Sequence, residues 1–252
     1  MIAEPLHVAL IGSGNIATHH ISAWRQTTDV QMMLICSNIT EQCKNLATKF
    51  DMEWSTDLAT ALNNDHVEIV DIVVPSGYHA EIGIQAARAG KNVLVEKPID
   101  VTLEKADALI EACRANGVTL GVVSQYRFMD PMNKIYEYIE SGKLGTLIQG
   151  DAYIKWYRSK DYYASADWRG TYRLDGGGPF INQGIHFIDL LLSIMGPVKS
   201  VYAKTKNLAH PEIEVEDIGS AIVEFWKFMA QKEPLVLKAK TWRSCTYKEK
   251  NL

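Results

Sequence analysis

The sequence predicts an α/β protein, with a doubly wound parallel sheet at the N-terminus and then an α+β region with a mostly antiparallel, incomplete sheet. Three observations lead there. Short β-branched runs alternate with helix-period segments up to Ser124. A glycine-rich turn falls between the first strand and the first helix. After Ser124 the alternation gives way to long runs with one polar side.

Residues 7–11 are an apolar run of strand length, and residues 15–27 follow with Ile16, His20 and Trp24 at helical spacing. Val30–Cys36 reads as a second strand and Thr40–Phe50 as a helix with Thr40 in the N-cap position. Residues 67–74 form a third strand stopped by Pro75. A helix over 80–89 ends at Gly90, whose missing Cβ suits a C′ position. Asn92–Val95 is a fourth strand, Thr102 opens a helix closed by Gly117, and residues 118–124 are a fifth strand. Helices of this size between strands imply parallel pairing through right-handed crossovers.

The grammar then changes. Residues 131–141 read as a helix ending at Gly142. Residues 146–157 alternate large side chains with Gln149, Asp151 and Lys155, the pattern of an antiparallel strand with one wet face. Residues 158–178, rich in aromatics, charge and glycine, read as a long functional loop. Residues 184–195 carry a helical apolar stripe, and Val198–Lys206 and Ile218–Phe225 are strand-like. Two domains are expected, 1–124 and 125–225, followed by a tail over 226–252.

Of the 252 residues, 47% are hydrophobic and 22% charged, which excludes collagen-like, disordered and disulfide-scaffold classes. A net charge of −4 offers no general attraction to nucleic acid or an anionic membrane. No apolar run reaches the ~18 residues of a bilayer span. Cys36, Cys43, Cys113 and Cys245 form no CxxC pair, and the expected setting is reducing and cytoplasmic. The adjacent His19 and His20 lack metal-ligand spacing, so no metal is expected.

Gly12-Ser13-Gly14-Asn15-Ile16-Ala17 matches G-x-G-x-x-A between a strand and a helix. Gly12 makes the tight turn, Gly14 lets backbone approach a pyrophosphate, and Ala17 allows close helix–strand packing, while the helix N-terminus offers N–H groups to phosphates. Gly12, Gly14, Asn15 and Ile16 are therefore the candidate cofactor contacts. The second strand ends in Cys36-Ser37-Asn38 without the carboxylate that holds an NAD ribose; Ser37 takes that place. This leaves room for a 2′-phosphate without supplying positive charge for it, which favours NADP over NAD without deciding between them, so the cofactor is NAD or NADP. Pro75 to His79 and Glu96-Lys97-Pro98 follow the third and fourth strands, at the edge where open α/β sheets bind ligands. Asn182, His186 and Asp189, at i, i+4 and i+7, are expected on one polar helix face.

Together these residues resemble the glucose–fructose oxidoreductase/inositol dehydrogenase family, Gfo/Idh/MocA. The glycine fingerprint, a T-P-N-x-x-H-like segment at Pro75–His79, E-K-P at 96–98 and a D-x-G-x-H-x-x-D-like segment at 182–189 carry the resemblance. It implies a Rossmann domain followed by a domain with a large antiparallel sheet, and hydride transfer between NAD(P) and a hydroxyl carbon of a sugar or cyclitol. By position, Lys97 corresponds to the family's acid/base lysine and His186 to its substrate-helix histidine. The resemblance also places Pro75, His79, Glu96 and Lys97 beside the cofactor, with His79 either structural or near the nicotinamide. Asn182 stands where the family has a carboxylate, and Gly77 where it has an asparagine. The 156–186 segment looks most like the branch acting on nucleotide-linked or acidic sugars. Lys97, Arg158, Arg169, Asn182 and His186 are then the candidate substrate contacts, the two arginines suiting an anion. Tyr126 and Arg127 either line the cofactor cleft or pack between the two domains. The family also implies a homo-oligomer, dimer or tetramer.

Residues 226–252 hold seven basic and two acidic side chains, leaving 19 basic and 28 acidic in residues 1–225. From Trp226 the family pattern stops. Phe225–Glu233 read one frame over resembles the family's later L-E-I-x-G-x-K-G segment, so a deletion with frameshift and a foreign basic tail are expected. Two other readings stand beside the sugar dehydrogenase: a reductase of a non-sugar carbonyl, and a truncated dinucleotide-binding protein without turnover.

Overall fold

The computed structural model describes residues 5–226, and the chain divides into two compact units between Val123 and Ser124. The first unit runs β1 (Leu6–Ile11), α1 (Ala17–Trp24), β2 (Val30–Cys36), α2 (Thr40–Phe50), β3 (Glu53–Ser55), α3 (Ala59–Leu62), β4 (Ile69–Ile72), α4 (His79–Arg88), β5 (Asn92–Val95), α5 (Leu103–Ala115) and β6 (Leu120–Val122). Its six strands are ordered β3-β2-β1-β4-β5-β6. Every pairing is parallel, so all the strand C-termini share one edge. The chain winds outward from β1 to β3 and returns to β4 on β1's other side. That reversal makes the β1/β4 crevice the topological switch point, where such sheets bind ligands.

Side chains alternate between the two sheet faces. On one face Ala9, Ile11, Val70 and Ile72 pack with Ala80, Ala86 and Ala87 of α4 and Leu109 and Cys113 of α5. On the other, Leu10 and Ile35 pack with Ala17 and Ile21 of α1 and Cys43 and Leu46 of α2. Gly83 lets α4 and α5 close up, since a Cβ there would sit 2.7 Å from Leu109 Cδ1. Thr102 caps α5 as expected, its hydroxyl accepting the Lys105 N–H. Gly90 and Gly117 take φ of +75° and +67° after their helices. Thr40 is not a cap; it is the first helical residue, Ile39 precedes it, and the turn is organised by Ser37 Oγ accepting the Ile39 N–H. The elements β3 and α3, three and four residues long, are too short to announce themselves by periodicity.

The second unit contains α6 (Asp130–Glu140), α7 (Lys160–Ala164), α8 (Ile185–Met195), β7 (Val198–Lys206) and β8 (Ile218–Phe225). Among the described residues its sheet is the antiparallel pair β7–β8. The strand expected over 146–157 does not form. A strand needs a neighbour for its N–H and C=O groups; here Ile148, Tyr153 and Tyr157 are 92%, 77% and 81% exposed, so the alternation has no packed face to serve. The expected loop over 158–178 contains α7, capped by Ser159, whose hydroxyl accepts the Tyr162 N–H. Of the expected tail, Trp226 is described, its N–H donating to Pro197 O, and 227–252 lie outside the described residues. No described helix is long and apolar enough to cross a membrane.

Leu109 is fully buried whereas Leu103 on the same helix is 80% exposed. Leu109→Ala should lower the urea unfolding free energy by about 2–5 kcal/mol, and Leu103→Ala should change it by less than about 0.5 kcal/mol.

Candidate functional site

The glycine turn links β1 to α1 at the switch point. Gly12 is buried at φ +120°, and a Cβ there would lie 2.8 Å from Val73 O, so only glycine fits. Its N–H donates to Cys36 O at 2.8 Å, and Val73 N–H donates to Ile11 O at 2.8 Å, fastening the turn to β2 and the end of β4. Gly14 faces open space, with nothing within 4 Å of a Cβ position, and Asn15 and Ile16 beside it are exposed. The first turn of α1 has neither a side-chain cap nor an acidic residue. Its N-terminal amides thus present partial positive charge unopposed, the environment a pyrophosphate needs. Ser37, at the end of β2, is buried and its hydroxyl accepts from Ser13 Oγ at 2.9 Å. These features fit a dinucleotide.

Beneath the turn lies a network the sequence reading missed. His20 on α1 places Nδ1 2.8 Å from Asp71 Oδ2 and Nε2 3.0 Å from Glu96 Oε1. Trp24 Nε1 donates to Asp71 Oδ2 at 2.6 Å. Asp71 is fully buried in the middle of β4, and His20 and Glu96 are each 9% exposed. Burial alone pushes the imidazole down, but Asp71 and then Glu96 outweigh it and raise it to about 10. One signal was available: a carboxylate inside the apolar run Ile69–Ile72 has to find a partner.

Glu96 therefore turns inward. Its Oε1 meets His20 and its Oε2 accepts the Lys97 N–H at 3.1 Å, so both oxygens have partners within the protein. His79 is 1% exposed, with Nδ1 2.8 Å from Pro98 O and Nε2 2.9 Å from Val74 O. Burial pushes this ring down toward the neutral form, and it pins the segment after β4 to the one after β5. These two carbonyl contacts fit the structural role of the two left open. Pro75 and Lys97 follow β4 and β5, partly exposed, at the same edge as the glycine turn.

In the second unit, Asn182 precedes α8 instead of sharing a helical face with His186, because the turn before the helix holds it: its N–H donates to Gly178 O and its Nδ2 to Asp175 Oδ1 at 2.7 Å. Asp175 is 4% exposed and also accepts the Gly170 N–H. His186 stacks on Tyr126 with ring centroids 4.7 Å apart, and Arg127 grips Asp189 through two guanidinium nitrogens. Tyr126 and Arg127 thus pack against α8. Arg158 and Arg169 both stand over the Tyr162 ring, 4.9 and 4.3 Å from its centroid. Arg169 Nη1 donates to the Tyr162 hydroxyl at 2.7 Å, and Gln183 Nε2 approaches the same oxygen. The structure therefore brings the two predicted arginines together on one tyrosine.

The His20 value carries a pH signature. A group raised from 6.5 unfolded to about 10 folded stabilises fully below 6.5, and that contribution fades as pH rises toward 10. Thermal unfolding midpoints should fall across that window, and His20→Gln should flatten the decline; parallel slopes in the two proteins would contradict it.

Comparison with known proteins places this geometry. The sequence matches "Oxidoreductase family, NAD-binding Rossmann fold" over residues 6–124 and "GFO/IDH/MocA C-terminal domain" over 132–232, the second running past Trp226. It is 30% identical over 211 residues to a D-glucoside 3-dehydrogenase of Escherichia coli, covering 81% of this chain and 58% of that one. Oxidoreductase P35 of Formosa agariphila is 26% identical, with 89% of this chain and 73% of that one covered. Among solved structures, the WlbA dehydrogenase of Bordetella pertussis, in complex with NADH and UDP-GlcNAcA, superposes with a TM-score of 0.82 at 32% identity, over 88% of this chain and 68% of that one. The chain thus spans between 58% and 73% of the length of these relatives. It belongs to the Gfo/Idh/MocA family of oxidoreductases and carries that family's NAD-binding Rossmann fold.

Proposed function

We propose that the protein transfers hydride between a nicotinamide dinucleotide and a hydroxyl carbon of a sugar, with Lys97 as the proton acceptor and donor. The observation that carries this reading is the G-x-G-x-x-A turn at the β1/β4 switch point, with Lys97 two residues beyond β5 on the same sheet edge. When bound, the nicotinamide supplies the hydride acceptor or donor. Gly12 and Gly14 give backbone access to the pyrophosphate, and Ile16 and Asn15 flank it at the start of α1. Lys97 Nζ takes a proton from the substrate hydroxyl in oxidation and returns it in reduction. In the second unit, His186, oriented by its stack on Tyr126, directs the hydroxyl. Asn182, its amide held by Asp175, offers a further hydrogen bond to the sugar. The family description favours NAD as cofactor.

An acidic, nucleotide-linked sugar is the substrate class that the second unit favours. Two guanidiniums over one tyrosine ring present a concentrated positive charge with planar, bidentate geometry for a carboxylate or phosphate. The complex of WlbA with UDP-GlcNAcA supports the same class. The homo-oligomer that the family implies would draw on the β7–β8 sheet, where Val201, Tyr202 and Ile222 are exposed.

Turnover on a panel of UDP-sugar acids, neutral sugars and inositols, with NAD and NADP in parallel, tests the reading. Lys97→Met should lower kcat by at least about 100-fold and leave NADH binding nearly intact, with UDP-sugar acids as best substrates. Near-normal turnover in Lys97→Met would defeat the acid–base assignment, and preference for a neutral cyclitol would defeat the substrate class.

A further inference from the structure

We propose that the Tyr162 hydroxyl is a specificity-determining substrate contact: it donates its hydrogen to an anionic oxygen of the substrate, in a sugar carboxylate or a linking diphosphate. This rests on the acidic, nucleotide-linked sugar reading of the same site and deepens it, because selection passes from the two arginines to the tyrosine they share.

The hydrogen bonds of one oxygen come first. Tyr162 Oη receives hydrogens from Arg169 Nη1 at 2.7 Å and from Gln183 Nε2 at 3.4 Å. A phenol also has one hydrogen to give, and neither a guanidinium nor an amide nitrogen can accept it. No other group among the described residues accepts it. The hydrogen is therefore available to a group from outside the chain. Gln183 adjoins Asn182 in the turn before α8, so this oxygen ties α7 to the segment that carries a candidate substrate contact.

The neighbours of Tyr162 indicate the charge of that outside group. The Arg158 and Arg169 guanidiniums stand 4.9 and 4.3 Å from its ring centroid. Among the described residues no carboxylate pairs with either. Arg158 Nε is buried and has no hydrogen-bond partner among the described residues, a costly state that an acceptor from a ligand would relieve. Arg169 is fixed from behind, its Nε donating to Ser165 Oγ at 3.0 Å. Two cations and a phenol thus converge with hydrogens to give. A carboxylate or phosphate oxygen can accept from all three, whereas a sugar hydroxyl brings a further hydrogen that none of them can take.

Calorimetric binding to the NADH-loaded full chain tests this without turnover. Three probes are compared: a UDP-linked uronic acid, the neutral UDP-sugar with a hydroxymethyl in place of the carboxylate, and the free uronic acid. Tyr162→Phe keeps the ring beside both guanidiniums and removes the donor alone. It should weaken binding of the UDP-linked acid about tenfold. With the carboxylate as partner, the free acid weakens equally and the neutral UDP-sugar is unaffected; with the diphosphate as partner, the pattern reverses. Unchanged binding of all three probes would overturn the proposal, and so would an equal loss on all three, which marks a packing role. Should Tyr162→Phe fail to fold, Arg158→Met removes the unpartnered Nε–H. That variant should weaken the UDP-linked acid by a similar factor, and unchanged binding would overturn the proposal. The two levels separate. Near-normal turnover in Lys97→Met defeats the acid–base reading and leaves the Tyr162 result standing. A wild-type chain that binds none of the three probes defeats the Tyr162 contact and leaves hydride transfer with a neutral sugar open to Lys97.

Discussion

A histidine held between two buried carboxylates is the constraint on which the first unit's functional edge depends. Taking three charges out of water is costly, and the cost is offset only where each ion finds well-placed partners. His20, Asp71, Glu96 and Trp24 meet that condition with contacts of 2.6–3.0 Å. The network therefore tolerates little displacement. It fastens α1, whose N-terminus opens at the glycine turn, to β4 and to the end of β5, where Lys97 begins the next segment. Backbone contacts reinforce the same junction: Gly12 sits against Val73, and Glu96 N–H donates to Ile72 O. The amides at the start of α1 and the lysine are thus parts of one framework.

Much of this framework was legible in the sequence. Val30–Cys36, Thr40–Phe50 and Asn92–Val95 stand where the apolar pattern put them, because burial on the two sheet faces dictates residue type at each position. The glycine turn was legible because tight turns and close approaches leave few alternatives to glycine. The ion network was not. His20 lies 51 and 76 residues from its two partners, and their meeting depends on β4 and β5 being neighbours with α1 packed across them. Local pattern carries no trace of that adjacency beyond the single charged residue in an apolar strand. The same limit explains why the partners of Glu96, His20 and the Lys97 N–H, were not legible from its place in a motif at the sheet edge.

The second unit shows where alternation misleads. Residues 146–157 have the large–polar rhythm of a strand, but a strand exists only with a partner, and among the described residues the sheet is β7 and β8. Helical spacing misled in a similar way at Asn182, since α8 begins only at Ile185 and the preceding turn is fixed by Gly178 and Asp175. Arg158 and Arg169, eleven residues apart in sequence, converge because Tyr162 on α7 offers one ring to both. His186 and Asp189 are likewise held by Tyr126 and Arg127 rather than left to solvent.

The central claim is that the ends of β1, β2, β4 and β5 form one dinucleotide edge. Titrating NADH into ¹⁵N-labelled protein tests it most directly. The account predicts that the amide signals of Gly12, Gly14, Ile16, Ser37 and Lys97 shift together along one saturating curve. Shifts confined to other residues, or no saturable shifts at all, would contradict it.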